Sequence, residues 1–281
     1  MSTEKRSVLI TGCSDGGLGA ELAIAFHRAG LTVYATARKR SKMANLDSLG
    51  IKTLELDVLS ADSIAHCVGQ IPSLDMLLNN AGGGYSMPVS DLDIPEAKRL
   101  FELNVWSYIA VTQAFLPLLL KSKGTLVNQT SVVSVVAIPF QSAYNASKAA
   151  MAMFSASQRL ELAPFGVTVV ELKTGIVRSN FLRNQAAATE TVLPQGSIYS
   201  PARQNIEERL RGDRFEALAA PAPQWATQVV QDLMKQKPPP VIWRGARAGS
   251  IRLGTYLPAG ILDGSLKKMA GLDVLEEKLR Q

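Results

Sequence analysis

The chain is poor in the residues that build covalent or metal scaffolds. Its 281 residues include two cysteines and two histidines. Cys13 and Cys67 lack CxxC spacing, and His27 and His66 are isolated. Those numbers exclude a disulfide framework, and no metal-ligand set is visible. Long apolar runs are also lacking. The longest, Ile109 to Leu120, is broken by Thr112 and Gln113 and is expected to be too short to span a bilayer. The opening MSTEKRSVLI has no apolar leader core, so a reducing, cytoplasmic setting is expected. The net charge is +6, yet no single block carries it. The densest basic cluster is Arg38-Lys39-Arg40 with Lys42, and a looser one includes Arg244, Arg247 and Arg252. No nucleic-acid motif accompanies either, so nucleic acid is not an expected partner and an anionic cofactor is the better use of the charge.

What is present is an ordinary globular balance, 47% hydrophobic and 19% charged, enough for a full core. Short β-rich runs recur at Ser7–Thr11, Thr32–Thr36, Thr53–Val58, Asp75–Asn79, Gly124–Gln129 and Val167–Leu172, with helical periodicity between them. That rhythm predicts an α/β fold, a doubly wound parallel sheet with helices on both faces. Ala97–Leu119 reads as one long helix that Pro117 should end or kink. Ser142–Ala163 reads as another, stopped by Pro164 and Gly166. Val241-Ile242-Trp243 fits an edge strand. One domain is expected, residues 1–281, with a lid over 180–220 and a C-terminal extension over 243–281.

Thr11-Gly-Cys-Ser-Asp-Gly-Gly-Leu-Gly19 lies between the first strand and the first helix. Glycines there let backbone approach a pyrophosphate, and the helix start offers free N–H groups. The candidates are Gly12, Ser14, Gly17, Leu18 and Gly19; the division of roles between Gly16 and Gly17 is open. The second strand ends at Ala37-Arg38, where a carboxylate selective for a ribose diol is missing. Arg38, with Lys39 or Arg40 in reserve, suits a 2′-phosphate, which favours NADP(H).

Tyr144 and Lys148 stand four residues apart, on one helix face. A neighbouring ammonium lowers a phenol's pKa and equips the pair to move a proton at a carbonyl oxygen. Ser131, thirteen residues earlier, falls at a strand end and suits a substrate oxygen, with Ser134 a competitor. Asn104 is polar in an apolar helix and could anchor a proton-relaying water; a core Asn at a helix kink is the plain alternative.

These residues, together with Leu56-Asp57-Val58 and Asn79-Asn80-Ala81-Gly82, resemble the short-chain dehydrogenase/reductase family over about residues 6–180. The resemblance implies a Rossmann fold of about seven strands and a catalytic tetrad of Ser131, Tyr144, Lys148 and Asn104. It implies that Asp57 and Val58 lie by the adenine, Asn80 near the cofactor ribose, and Val177 and Ser179 by the nicotinamide amide. Two departures stand out: a glycine turn one residue longer than usual, and Thr174-Gly175 where Pro-Gly is usual. More narrowly, the chain resembles the fungal 1-acyldihydroxyacetone-phosphate reductase-like branch, which implies a role in secondary metabolism without fixing the substrate.

Apolar residues after Ser131 and at Phe181-Leu182 suggest a lipophilic carbonyl substrate. The mixed apolar and basic stretch 243–270 fits a membrane-surface contact, dimer packing or a lid. The expected function is an NADP(H)-dependent ketone or alcohol oxidoreductase, active as a homo-oligomer. An isomerase or dehydratase on the same fold and a non-catalytic cofactor sensor are the alternatives.

Overall fold

The computed structural model describes residues 6–181 and 192–280. Seven strands form one parallel sheet in the order β3-β2-β1-β4-β5-β6-β7. They are β1 (Ser7–Ile10), β2 (Thr32–Ala37), β3 (Lys52–Glu55), β4 (Met76–Asn79), β5 (Thr125–Ser131), β6 (Thr168–Thr174) and β7 (Val241–Arg244). β7 is indeed an edge strand. β3 ends at Glu55, so Leu56-Asp57-Val58 forms a loop beyond the strand rather than its end.

The strands are apolar on both faces, as a doubly covered sheet requires. On one face Ile10, Ala35, Leu78 and Leu172 pack against α1 (Leu18–Arg28) and the Ala222–Leu233 helix. Short α2 (Ala44–Ser48) adds Leu46 there. On the other face Leu9, Leu77 and Leu126 meet α3 (Ala61–Gly69) and α5 (Ser107–Ser122). Fully burying each large side chain contributes ~1.5–3 kcal/mol before entropy is subtracted.

The long helix forms as expected and runs a few residues further at each end. α4 (Ile94–Phe101) passes through a π turn (Glu102–Trp106) into α5, giving one 29-residue apolar rod, Ile94–Ser122. Pro117 sits inside α5 and does not end it. Pro117 and Gln113, whose carbonyl loses its donor, are both exposed, so water can satisfy the freed oxygen. By length and composition this rod could cross a membrane, contrary to the short apolar run seen in sequence. Here it is a core helix, with Val105, Tyr108, Val111, Phe115 and Leu119 buried.

Beyond β5 come α6 (Ser142–Leu162), α7 (Arg203–Arg211), α8 (Ala222–Leu233), α9 (Ala248–Gly254), α10 (Asp263–Ala270) and α11 (Leu272–Leu279). Leu193, Ile206 and Leu210 join Ala270 and Leu275 in a third apolar cluster with Tyr85, Phe140 and Tyr144. The segment read as a lid and the C-terminal extension therefore pack together, on the side of Tyr144. The part of that lid over 182–191 lies outside the described residues.

Candidate active site

Parallel strands present all their C-terminal ends at one edge. A crevice opens where neighbouring connections diverge, here between β1 and β4. The glycine turn follows β1 at that point. Cys13 N–H donates to Thr36 O at 2.7 Å and Asp15 N–H to Lys42 O at 2.8 Å, tying the turn to the loop that carries Arg38. Gly12 and Gly16 have left-handed backbones, φ 75° and 76°. Gly16 therefore takes the conformational role in the lengthened turn, while Gly17 caps α1 with extended backbone. Gly19 is required for close approach: a Cβ there would lie 2.6 Å from Gly12 O. Ser14 O accepts from Gly17 N–H at 2.9 Å, and Leu18 begins the helix. Asn180, beyond β6, donates its backbone N–H to Gly16 O at 3.1 Å and its amide to Asp15 O at 3.1 Å. Sequence reading missed that brace, because Asn180 is 165 residues from its partner.

The basic cluster divides by side chain. Arg40 is committed to the β3 side: its Nε donates to Thr53 Oγ1 at 2.9 Å, and it pairs with Asp47 at 3.0 Å. That hydrogen bonding and charge hold the Asp47 carboxyl below its usual range. Arg38 is exposed and has no ion pair among the described residues. Asp57 caps its own loop, its carboxylate accepting from Leu59 N–H at 3.0 Å, with buried Val58 beside it. The Asn80 amide donates to Thr11 O at 2.7 Å and Gly12 O at 3.1 Å. It thus braces the glycine turn through its nitrogen. Val177 bridges Ala220, and Ser179 Oγ accepts from Phe181 N–H at 3.3 Å, so both sit at the start of the segment after β6.

The polar centre forms where β5 and α6 converge. Ser131, at the end of β5, stands beside Tyr144 on the first turn of α6, near enough for its hydroxyl to act on the phenol. One helical turn on, Lys148 is only 5% exposed, and its Nζ donates to Gln129 O at 3.2 Å. Burial pushes the Tyr144 phenol up to about 12, partly offset by the Ser131 hydrogen bond. Burial also pulls Lys148 down to about 8. Ser134 is not equivalent to Ser131. Its hydroxyl accepts at 2.8 Å from Lys173, itself in a buried pair with Glu171 at 2.5 Å. Asn104 lies in the π turn, fully buried. Its Oδ1 accepts from Gly83 N–H at 2.9 Å, and its amide donates to Gly83 O and Ser147 Oγ, each at 3.0 Å. Ser147, in turn, donates to Tyr144 O at 2.8 Å. Neither the π turn nor Ser147 had a signal in the sequence.

Apolar side chains wall the centre. The Phe181 and Tyr144 rings lie 5.7 Å apart. Phe140, four residues before Tyr144, adopts φ 67°, strained for a bulky residue. It is held by Met87 N–H on its carbonyl at 2.7 Å and by the Tyr199 ring edge-on at 5.6 Å. Leu182, the other expected wall residue, lies outside the described residues.

Comparison with known proteins follows the same lines. The family model described as short chain dehydrogenase matches residues 6–190. A short-chain dehydrogenase/reductase of Pestalotiopsis microspora is 55% identical over 280 residues, covering 100% of this chain and 99% of that one. The NADPH-dependent 1-acyldihydroxyacetone phosphate reductase of Schizosaccharomyces pombe is 39% identical, covering 97% and 96%. Among solved structures, a short chain dehydrogenase from Burkholderia cenocepacia in complex with NADP has a TM-score of 0.73 at 25% identity, covering 95% and 99%.

Proposed function

The chain belongs to the short-chain dehydrogenase/reductase family, and from that premise we propose that it is an NADP(H)-dependent reductase of a lipophilic carbonyl compound, running in reverse as an alcohol dehydrogenase. The convergence of Ser131, Tyr144 and Lys148 beside the glycine turn carries the reading. The residues present fit a dinucleotide: Gly19 leaves backbone bare where a Cβ would clash, and Arg38 offers an uncommitted guanidinium. A bound nicotinamide supplies the hydride.

The protein's residues handle the oxygen. The Ser131 and Tyr144 hydroxyls are neighbours, and both can donate to a carbonyl oxygen placed between them. Negative charge builds on that oxygen during reduction, and Tyr144 releases its proton to it. A phenol held near 12 keeps that proton at neutral pH, as a donor must. Lys148, still largely ammonium at pH 7, stabilises the phenolate left behind. Phe140, Phe181 and the apolar cluster of Leu193 and Leu275 exclude water and favour a lipophilic substrate. Asn104 fixes the π turn to Gly83 and, through Ser147, to the first turn of α6.

A panel of lipophilic ketones assayed with NADPH and NADH tests the reading, with Tyr144→Phe beside the wild type. Oxidation of NADPH is expected with bulky ketones. The variant is expected to lose about 10²–10⁴-fold in turnover while still binding NADPH. Near-normal turnover in the variant, or better turnover of small polar ketones, defeats it.

A further inference from the structure

The stretch after β7 gathers exposed apolar and basic side chains within a short length of chain. Leu253, Tyr256 and Ile261 are 71%, 79% and 60% exposed, and Leu257 and Leu262 are also exposed. Apolar side chains this bare and this close in sequence are a liability in water unless something covers them. Their backbone is already satisfied by successive turns: Tyr256 N–H donates to Leu253 O, Leu257 N–H to Gly254 O, Ile261 N–H to Pro258 O and Asp263 N–H to Gly260 O. A segment that enters an interface poor in water needs this internal pairing.

Its charge identifies the cover. Residues 247–268 hold four basic residues, Arg247, Arg252, Lys267 and Lys268, against one acid, Asp263. All four are exposed. Lys267 reaches Glu276 at 3.5 Å; the other three have no ion pair among the described residues. A second copy placed on the same patch would set cations against cations. An anionic bilayer answers both features: lipid phosphates face the basic residues, and the apolar side chains reach the acyl boundary.

We propose that residues 247–268 dock the protein on an anionic lipid surface. The patch takes in most of α10 and runs on into α11, and Ala270 and Leu275 of these helices share the apolar cluster that holds Phe140 and Tyr144. A lipophilic substrate leaving the bilayer there meets the apolar wall of the site; this last point rests on the reductase reading, the docking itself does not.

Sedimentation of the full chain with vesicles tests it, using phosphatidylcholine alone and phosphatidylcholine mixed with phosphatidylserine. The protein is expected to pellet with the mixed vesicles and to be released by high salt. Arg252→Gln and Lys268→Gln are each expected to weaken partitioning about fivefold. Leu253→Ser with Tyr256→Ser is expected to weaken it further. No pelleting, equal pelleting without phosphatidylserine, or variants that bind like the wild type overturns the proposal. So does a drop in mass by light scattering in the Leu253/Tyr256 variant, which would make the patch a contact between copies. The charge variants lie at exposed positions, and their far-UV spectra and melting curves report folding. Sedimentation reads no turnover, so a failed ketone assay leaves the docking result standing.

Discussion

Burial shifts the pKa values of Tyr144 and Lys148 in opposite directions, and the proposed reduction depends on the resulting charge states. Lys148 has an ordinary value of 10.5 and is pulled down to about 8 by burial. The folded chain therefore holds that proton more weakly than the unfolded chain. The penalty is fully present below pH 8, up to about 3 kcal/mol, and shrinks as pH rises from 8 towards 10.5. Lys148→Met should therefore melt higher at pH 7, with the difference closing at alkaline pH, while turnover falls by about 10² or more. Gln129 O keeps the Tyr108 hydroxyl at 3.2 Å in that variant. A lower melting point at pH 7 would refute a strained buried charge. In the wild type, ketone reduction should decline above pH 8, and a flat profile there would remove the charge from the mechanism. Arg38 is the second residue to test. Because Arg40 is spent on Asp47 and Thr53, Arg38→Ala should raise KM for NADPH about tenfold or more and leave KM for NADH nearly unchanged. Equal effects on both cofactors would assign the 2′-phosphate elsewhere.

At the scale of elements, the loops and turns matter more than the strands. The strands and most helices are periodic, and periodicity survives in sequence: β1, β2, α6 and β7 fall within a few residues of their expected limits. The π turn does not announce itself, because one extra residue in a helix leaves the apolar pattern almost unchanged. Its value lies in Asn104, which joins the α4–α5 rod to Gly83 and α6. Asn104→Ala leaves the Gly83 N–H without that partner and should cost about 2–3 kcal/mol, read by chemical denaturation. If stability is kept and only turnover falls, the amide acts on the reaction rather than on the frame. Pro117 does not end the helix, because both it and Gln113 face water, where the freed carbonyl is satisfied.

At the scale of the molecule, two groups of exposed apolar residues among the described ones call for different covers. One is the basic patch of residues 247–268. The other lies on the π turn and α6, where exposed Met153 and Leu160 accompany Trp106, whose ring meets Phe154 edge-on at 6.0 Å. This second face lacks the run of basic residues, so a second copy of the chain is its expected cover. Light scattering should give a multiple of 30.2 kDa, and Trp106→Ser with Met153→Ser should reduce it. A wild-type mass of one chain would remove that expectation. The sequence by itself determined the parallel sheet, the glycine turn and the family, and it singled out the three residues that meet at the end of β5. Those are written locally, as strand and helix periods or as fixed spacings between neighbours. Only the tertiary structure decided that Gly16 makes the turn, that Asn180 braces it, that Arg40 is spent while Arg38 is free, and that Ser134 belongs to Lys173. Each of those turns on which side chain another residue has already engaged, and partners far apart in sequence meet only when the chain has folded.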